Sequence, residues 1–388
     1  MRFVHSIHKN TVVLVGIASL LLSFGNHQTL AQLPPSPPKT EPERIPPELL
    51  APELPSSPTN NQQSPTEVQP QEIIDSDPEQ WRSVAFVKIV GDQEGTVDTL
   101  LFSPDNKYIL AGGYRNQPNL KIWDLSNGKR KSNIRAQRRG VQALAIDPVG
   151  QTLVSAGEDG GINFWNWPNG KYIGISVEHR TLVMDLAISP DGQILVSAGL
   201  DGIRVWSLCD RRPLYTLTRI GEPAYAVGVN PNGTTVASGD DQGKIKFWDI
   251  RRGVFLSEFA AHSEAITGAI YTPDGSKLIT SSEDRTVKVW DVQSKKLLYT
   301  FIGHHNRIRS IALHPNGEVL ASSSNDGVRL WNVVTGESLG WPEKCRDWVE
   351  SVAFSPDGRY LATGGFDFQV RLWEPSINSQ TPELQTKK

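Results

Sequence analysis

The side chains in this sequence that could do chemistry are its histidines, together with serine, threonine and aspartate. These types can form a nucleophilic triad, in which a carboxylate orients a histidine and the histidine takes the proton of a hydroxyl. Paired histidines could instead hold a metal ion. The one adjacent pair among the eight histidines is His304 and His305, and no phosphate-binding loop or closely spaced cysteine pair accompanies it. We therefore predict no metal and no cofactor.

The composition describes a soluble chain that is large enough to bury a sizeable core. The chain has 388 residues, of which 38% are hydrophobic, and its formal net charge is -3. This charge gives no support for a nucleic-acid partner. Cys209 and Cys345 are the only cysteines and lie far apart, so we expect two unpaired thiols and no disulfide framework.

The first 31 residues have the pattern of an export signal. Arg2 and Lys9 precede the apolar run TVVLVGIASLLLSF at 11–24, and small residues lead to Ala31, after which we expect cleavage. An uncleaved membrane anchor is the alternative, but a run of 14 residues is shorter than the roughly 20 that span a bilayer. We predict export to the periplasm or the outside of the cell, with membrane contact only through an uncleaved 11–24.

A proline-rich segment follows at 32–80 and contains 13 of the 27 prolines. It has few aromatic or β-branched residues and no apolar periodicity, so it is predicted to be a disordered, semi-rigid linker. Residues 376–388 are predicted to be a disordered tail.

Residues 81–375 contain an internal repeat. Seven tryptophans recur at spacings of 41 or 42 residues: Trp123, Trp165, Trp206, Trp248, Trp290, Trp331 and Trp373. A turn marker such as SPDG or TPDG keeps step with them, because proline presets φ and the following Asp or Asn and Gly accept left-handed backbone. Short apolar runs around each marker predict four strands in each repeat. A single unit of this kind cannot cover both faces, so the units should stack into a closed ring.

The period, the Trp-Asp endings at Trp123, Trp248 and Trp290, and the pair Gly303 and His304 resemble WD40 repeats. The resemblance covers 81–375 and implies an all-β, seven-bladed β-propeller. The last repeat lacks a fourth strand, while the run at 83–89 precedes the first repeat. We expect this N-terminal strand to close the ring.

The resemblance also implies a structural role for the histidines. WD40 blades hold a buried chain that runs from Asp to His to Ser or Thr to Trp, and such a chain leaves no free nucleophile. The matching positions are complete in three repeats: His179, Ser197, Asp201 and Trp206; His262, Thr280, Asp284 and Trp290; His304, Ser322, Asp326 and Trp331. In the other repeats the histidine position holds Gln93, Gln137, Ile220 and Cys345, so those blades should lack the full network. We predict no catalytic residue and no enzymatic activity.

WD40 proteins usually bind proteins or peptides on the narrower face of the ring, and the resemblance assigns positions to that face. The predicted partner-binding residues are Asp98, Gln142, Glu158, Met184, Tyr225, Asp241, Glu283, Arg307, Arg309, Trp348, Glu350 and Phe366. Aromatic residues, methionine and arginine are typical anchors of protein interfaces, and the carboxylates could pair with a basic partner segment.

Three functional hypotheses follow. The first is a monomeric, non-enzymatic scaffold outside the cytoplasm that binds a protein or peptide. The second is a propeller that binds or acts on an envelope polysaccharide or a small molecule, which would need carboxylates clustered in one cleft. The third is a cytoplasmic or membrane-anchored regulatory module.

Overall fold

The computed structural model of the chain describes residues 73, 77–92, 95–114, 119–177, 179–218, 222–340 and 348–376. The predicted export segment, nearly all of the predicted linker and the predicted tail after Ser376 lie outside these residues. Within these ranges, no helix is both long and apolar enough to cross a membrane.

The described residues form seven antiparallel sheets of four strands, and one short 3-10 helix, Pro78–Arg82, precedes them. This confirms the predicted all-β, seven-bladed propeller. Strand β1 (Val84–Asp92) belongs to the last blade, and the others follow in chain order. Blades 1 to 3 comprise β2 (Thr99–Phe102), β3 (Tyr108–Gly112), β4 (Leu120–Asp124), β5 (Arg130–Ile134); β6 (Val141–Ile146), β7 (Thr152–Gly157), β8 (Gly161–Asn166), β9 (Lys171–Val177); β10 (Val183–Ile188), β11 (Ile194–Gly199), β12 (Gly202–Ser207), β13 (Arg212–Thr216).

Blades 4 to 7 have the same arrangement. They comprise β14 (Ala226–Val229), β15 (Thr235–Gly239), β16 (Lys244–Asp249), β17 (Val254–Ala260); β18 (Ile266–Tyr271), β19 (Lys277–Ser282), β20 (Thr286–Asp291), β21 (Leu297–Ile302); β22 (Ile308–Leu313), β23 (Val319–Ser324), β24 (Gly327–Asn332), β25 (Ser338–Gly340); β26 (Val349–Phe354), β27 (Leu361–Gly365), β28 (Gln369–Pro375). The repeating tryptophan always lies on the third strand of its blade.

The turn markers form the connection between the first and second strands of each blade. In blade 1, Ser103 Oγ donates to Asp105 at 2.6 Å and accepts from the Tyr108 amide at 2.9 Å. The fourth residue of every marker has a positive φ, between 56° at Asn106 and 82° at Gly317. Asn and Gly adopt this left-handed conformation readily, which explains why the marker ends on one of them.

The ring closes as predicted by pairing the N-terminal strand with the last blade. Strand β1 runs antiparallel to β28, with Val84 opposite Pro375 and Phe86 opposite Trp373. Just before β1, Trp81 is 1% exposed and packs edge to face on Phe354 at a centroid distance of 5.1 Å. The first strands of neighbouring blades contact one another around the ring, including β2 against β26.

The core lies between blades. One cluster, for example, joins Phe164 and Ile162 of blade 2 to Trp206 and Leu195 of blade 3, all of them fully buried. Each blade therefore depends on its neighbours for burial, which is the reason that the fold needs a closed ring.

Candidate binding face

Three blades contain a continuous chain of hydrogen bonds among four side chains. In blade 5, His262 Nδ1 lies 2.9 Å from Asp284 Oδ2, His262 Nε2 lies 2.8 Å from Thr280 Oγ1, and the Trp290 indole donates to that oxygen at 2.9 Å. The equivalent distances are 2.6, 2.7 and 2.8 Å in blade 3 and 2.7, 2.8 and 2.8 Å in blade 6. The structure thus brings together all three predicted sets: His179, Ser197, Asp201, Trp206; His262, Thr280, Asp284, Trp290; His304, Ser322, Asp326, Trp331.

These sets are unsuited to nucleophilic catalysis. The side chains of Ser197, Thr280 and Ser322 are 0% exposed, and each hydroxyl oxygen already accepts a bond from an indole. Burial also lowers the pKa of His179 and of His304, although the partner aspartates oppose this shift. The imidazoles of His179 and His304 are therefore favoured in the neutral form.

The spacing from Asp to Trp is one residue shorter in blades 3 and 6 than in blade 5, and the structure shows where the residue is lost. In blade 3, Gly199 pairs directly with Gly202 across a two-residue turn, and Gly202 has a φ of 120°. In blade 6, Gly327 has a φ of 107° at the same place. Glycine permits this tight turn, so Asp201 and Asp326 still reach their histidines.

The remaining blades keep part of the network. The indoles of Trp165, Trp248 and Trp373 donate to Ser155, Ser238 and Thr363, whereas Ala111 replaces the hydroxyl residue in blade 1. Gln137 occupies the histidine position of blade 2, donates to the Ser155 carbonyl at 2.8 Å and accepts from Asn163 at 2.9 Å. Sequence analysis missed this substitute, although a buried amide can donate and accept at once. Gln93, Ile220 and Cys345 lie outside the described residues.

The tetrads fix the loops that form one face of the ring. Asp201 accepts from the Arg180 amide at 2.8 Å, and Asp326 accepts from the His305 amide at 2.7 Å. Each aspartate therefore ties the loop that enters a blade to the hairpin between its second and third strands. That hairpin carries Glu283 in blade 5, immediately before Asp284. We call the face formed by these loops and hairpins the cavity face.

A cavity of about 540 Å³ opens on the cavity face around the ring axis. Nine of the twelve predicted partner-binding residues line it: Asp98, Gln142, Met184, Tyr225, Glu283, Arg307, Arg309, Glu350 and Phe366. They come from different blades, and they meet because the first strands of all blades converge on the axis. Sequence analysis missed two aromatic members of the same wall, Tyr114 and Phe368, and also Thr96, which lies near Asp98 in the chain.

The other three predicted residues are not part of the cavity wall. Trp348 is 52% exposed and packs edge to face on Phe366, with ring centroids 5.1 Å apart. Glu158 acts electrostatically on Asp98, and Asp241 acts on Tyr225. The Trp348 ring therefore forms an exposed apolar edge beside the cavity.

The cavity wall contains two ion pairs that differ in how deeply they are buried. Arg307 Nη1 lies 3.0 Å from Glu283 Oε1, and both side chains are well exposed. Arg309 lies deeper, with its side chain 24% exposed, and its Nε is 3.5 Å from Glu350 Oε1. The pattern predicted Arg309 as a surface contact, but its removal would leave Glu350 without its cation in a largely buried position.

Buried carboxylates surround the axis. Burial raises the pKa of Asp98 to about 6, and the nearby Glu350 and Glu158 raise it further, while a hydrogen bond with Thr96 opposes the shift. Burial also raises the pKa of Glu350, against the attraction of Arg309. Asp98, Glu283 and Glu350 belong to three different blades, and the structure brings them to one cavity.

A second cavity of about 380 Å³ continues inward and contains Asp185, which sequence analysis missed. Burial raises the pKa of Asp185 to about 7, although its carboxylate accepts from the amides of Val227, at 2.9 Å, and Leu186. The signal was present in the strand VMDLAI, where one acid interrupts an apolar run. Within the described ranges, no cluster of His, Cys, Asp and Glu has the geometry of a metal site.

A model of the family described as "Nucleolar protein 10-like, N-terminal domain", a β-propeller, matches residues 98–320, and the model "WD domain, G-beta repeat" matches residues 342–374. The first match covers more than half of the chain, so the chain belongs to this family of WD40-type β-propellers. It is also similar to autophagy-related protein 16 of Arabidopsis thaliana, with 24% identity over 190 residues. That alignment covers 48% of this chain and only 28% of the relative. WD40 propellers are generally non-enzymatic scaffolds for protein interactions.

Replacing Asp284 by Ala should lower the free energy of unfolding by about 1–3 kcal/mol, because the buried His262 loses its partner. Hydrogen bonds from His262 and Thr286 hold the pKa of Asp284 well below its usual range, even though burial acts to raise it. Urea unfolding at pH 7 measures the change. Glu264→Ala, which removes an exposed acid from the loop that enters the same blade, is the control. A loss no larger than that of the control would contradict the structural role of the tetrad.

Replacing Asp185 by Asn should change how stability depends on pH. The pKa of Asp185 in the folded protein, about 7, exceeds the ordinary 3.8, so the folded state binds more protons than the unfolded state between these values. The stability of the wild type relative to the variant should therefore rise as the pH falls from 7 towards 4. Urea unfolding of both proteins at pH 8, 6 and 4.5 tests this. Parallel pH profiles would show that Asp185 is ionised alike in both states.

Proposed function

We propose that this chain is a monomeric, non-enzymatic scaffold outside the cytoplasm that binds a protein or peptide segment on the cavity face. The observation that carries the proposal is the meeting of nine predicted contact residues in one cavity of about 540 Å³. A cavity of this volume holds a few side chains of a partner, and it is also within the size range of small-molecule sites, so the chemistry of the rim decides between the two.

The chemistry of the rim also favours a protein partner. Trp348 and Phe366 are 52% and 44% exposed, and they form an edge-to-face pair at the mouth of the cavity. Arg307 adds a well-exposed cation held by Glu283. Exposed aromatic rings next to arginine are the typical anchors of protein interfaces.

The location outside the cytoplasm is supported by the pattern of the first 31 residues, with its basic start and its apolar run at 11–24. If the export segment stays uncleaved as an anchor, the proline-rich segment at 32–80 would be the spacer between it and the ring.

Replacing Arg307 and Trp348 by Ala should abolish partner capture while the melting temperature changes little, because both side chains are exposed. The measurement is crosslinking in the native host, followed by mass spectrometry of the retained proteins. The matched control is Phe86→Ala with Arg359→Ala. Phe86 is 42% exposed and packs edge to face on Trp373, and Arg359 is an exposed, ion-paired arginine on the opposite side of blade 7.

A protein held by the wild type and the control but lost from the cavity variant would support the proposal and name the partner. Equal capture by all three would place the binding site elsewhere. Capture of no protein at all would favour a polysaccharide or a small molecule as the ligand.

Export predicts that the mature protein begins at Gln32 and fractionates outside the cytoplasm. N-terminal sequencing of the protein purified from its host, together with fractionation, measures both properties. An intact Met1 in a membrane fraction would favour the uncleaved anchor. An intact Met1 in the cytoplasm would favour a cytoplasmic regulatory module and contradict the proposed location.

A further inference from the structure

Three neighbouring blades share a feature that the binding face does not explain. In blades 3, 4 and 5, the hairpin between the third and fourth strands carries two consecutive basic residues at or next to the start of the outer strand. These exposed residues are Arg211, Arg212, Arg251, Arg252, Lys295 and Lys296. Strand direction places these hairpins on the side of the ring opposite the cavity face.

The three hairpins form one continuous surface, which we call the basic rim. Lys295 of blade 5 donates to Ser257 Oγ of blade 4 at 2.6 Å. A side chain at Gly253 of blade 4 would meet Tyr215 of blade 3 at 3.2 Å, so these two hairpins are also in close contact. The six basic residues are therefore held near one another by the packing of adjacent blades.

The charges of the basic rim are largely uncompensated. Within the described residues, Arg252 makes the one ion pair of the six, with Asp249 at a long 3.9 Å. The hairpins contain three acids, Asp210, Asp249 and Asp291, and each accepts a hydrogen bond within its own hairpin. The three hairpins thus contain six basic residues and three acids, and each acid accepts a hydrogen bond within its own turn.

Bulky apolar side chains are exposed directly beside these cations. The first residues of β17 include Phe255 and Leu256, each 51% exposed, and β21 begins with Leu297 and Leu298, which are 46% and 42% exposed. The order is the same in both blades, since a basic pair in the turn is followed by apolar residues at the start of the outer strand.

The fold does not require this pattern. In blade 6, the equivalent hairpin contains Thr335, Gly336 and Glu337 and has no basic residue, yet it forms the same turn. In blade 1, the equivalent hairpin carries Lys129, Arg130 and Lys131, but polar Ser132 and Asn133 follow them. A basic pair followed by exposed apolar residues is therefore a feature of blades 4 and 5 and not of every repeat.

We propose that the basic rim binds the surface of a membrane that contains anionic phospholipids. The arginines and lysines would lie at the phosphate level, and the apolar residues of β17 and β21 would enter the interface between headgroups and acyl chains. Because the rim lies opposite the cavity face, a bound ring would keep its cavity directed away from the membrane.

The side chains favour lipid over nucleic acid. Proteins that bind single strands combine basic grooves with aromatic platforms on which bases stack. The apolar residues here are mainly aliphatic, and they project from the outer edges of blades rather than lining a groove. Aliphatic side chains next to cations match the two layers of a bilayer interface.

The test uses the full chain and vesicles of phosphatidylcholine, either pure or with 30% phosphatidylglycerol, at about 0.1 M salt, at which exposed charges act over ~10 Å. The rim variant replaces Arg251, Arg252, Lys295 and Lys296 by Gln. The control variant replaces Arg138, Arg139, Arg180 and Arg285, which are exposed on the loops of the cavity face, by Gln. The rim variant should lose affinity for the anionic vesicles by about fivefold per basic residue, and the control variant should bind like the wild type.

A local probe separates the rim from any other membrane contact of the chain. Cys209 is an exposed free thiol in the hairpin of blade 3, so an environment-sensitive fluorophore on it, with Cys345→Ser, reports contact at the rim itself. Its emission should shift to the blue on anionic vesicles and not on neutral ones. A probe at Arg139→Cys on the cavity face, with Cys209→Ser and Cys345→Ser, should not shift.

No shift at Cys209 while the chain is bound to vesicles would overturn the proposal, because another segment would then hold the membrane. Equal binding of the rim and control variants would also overturn it. Binding to duplex or single-stranded DNA without binding to anionic vesicles would assign the basic rim to nucleic acid instead.

Discussion

The pairing of β1 with β28 is the constraint on which the rest of this structure depends. Without it, the last blade would have three strands and a free edge. The N-terminal segment that leads into the first blade would also no longer be paired with the last blade. The same segment inserts Trp81, which is 1% exposed, between Phe354 and His314. Since the clusters of the core lie between blades, closing the ring completes the burial of every blade. The cavity follows from closure, because only a complete ring makes the first strands converge on one axis.

Within the closed ring, the hydrogen-bond chains of the tetrads stabilise individual blades. Each indole bond fixes the second strand of a blade to the third, and each link from aspartate to histidine fixes the loop that enters the blade to the hairpin on the same side. This arrangement makes a surface of loops rigid enough to hold charged residues in a cavity. Asp98 and Glu350 tolerate burial there because Arg309, at 3.5 Å from Glu350, offsets part of their charge. The tetrads therefore stabilise the cavity face without lining the cavity.

Sequence periodicity predicted the blade count, the strand order and the closing strand, because every repeat has the same pattern of short apolar runs and turn residues. The resemblance to WD40 repeats implied the tetrad residues and the positions of the cavity face, and a repeat places equivalent positions at equivalent points on the ring. The burial of individual side chains in the cavity wall was not predictable. Arg307 and Arg309 look alike in sequence, yet Arg307 is exposed and Arg309 is mostly buried. Asp185 was missed because its environment depends on the Val227 amide of the next blade, 42 residues away.

The distribution of charge over the ring gives the molecule two different sides. Carboxylates concentrate around the axis on the cavity face, where burial raises the pKa of Asp98 and of Asp185. The paired basic residues of the rim lie on the opposite side, in the hairpins of blades 3 to 5, while single arginines such as Arg180 are exposed on the loops of the cavity face. A blade connects these sides with antiparallel strands, so its two sets of loops can vary independently while the strands keep the packing intact. Because Glu337 stands in blade 6 where blades 3 to 5 have basic pairs, the repeat permits either sign of charge at this position. The basic rim is therefore a feature of these particular loops, and the proposed partner site and the proposed membrane surface would lie on opposite sides of one ring.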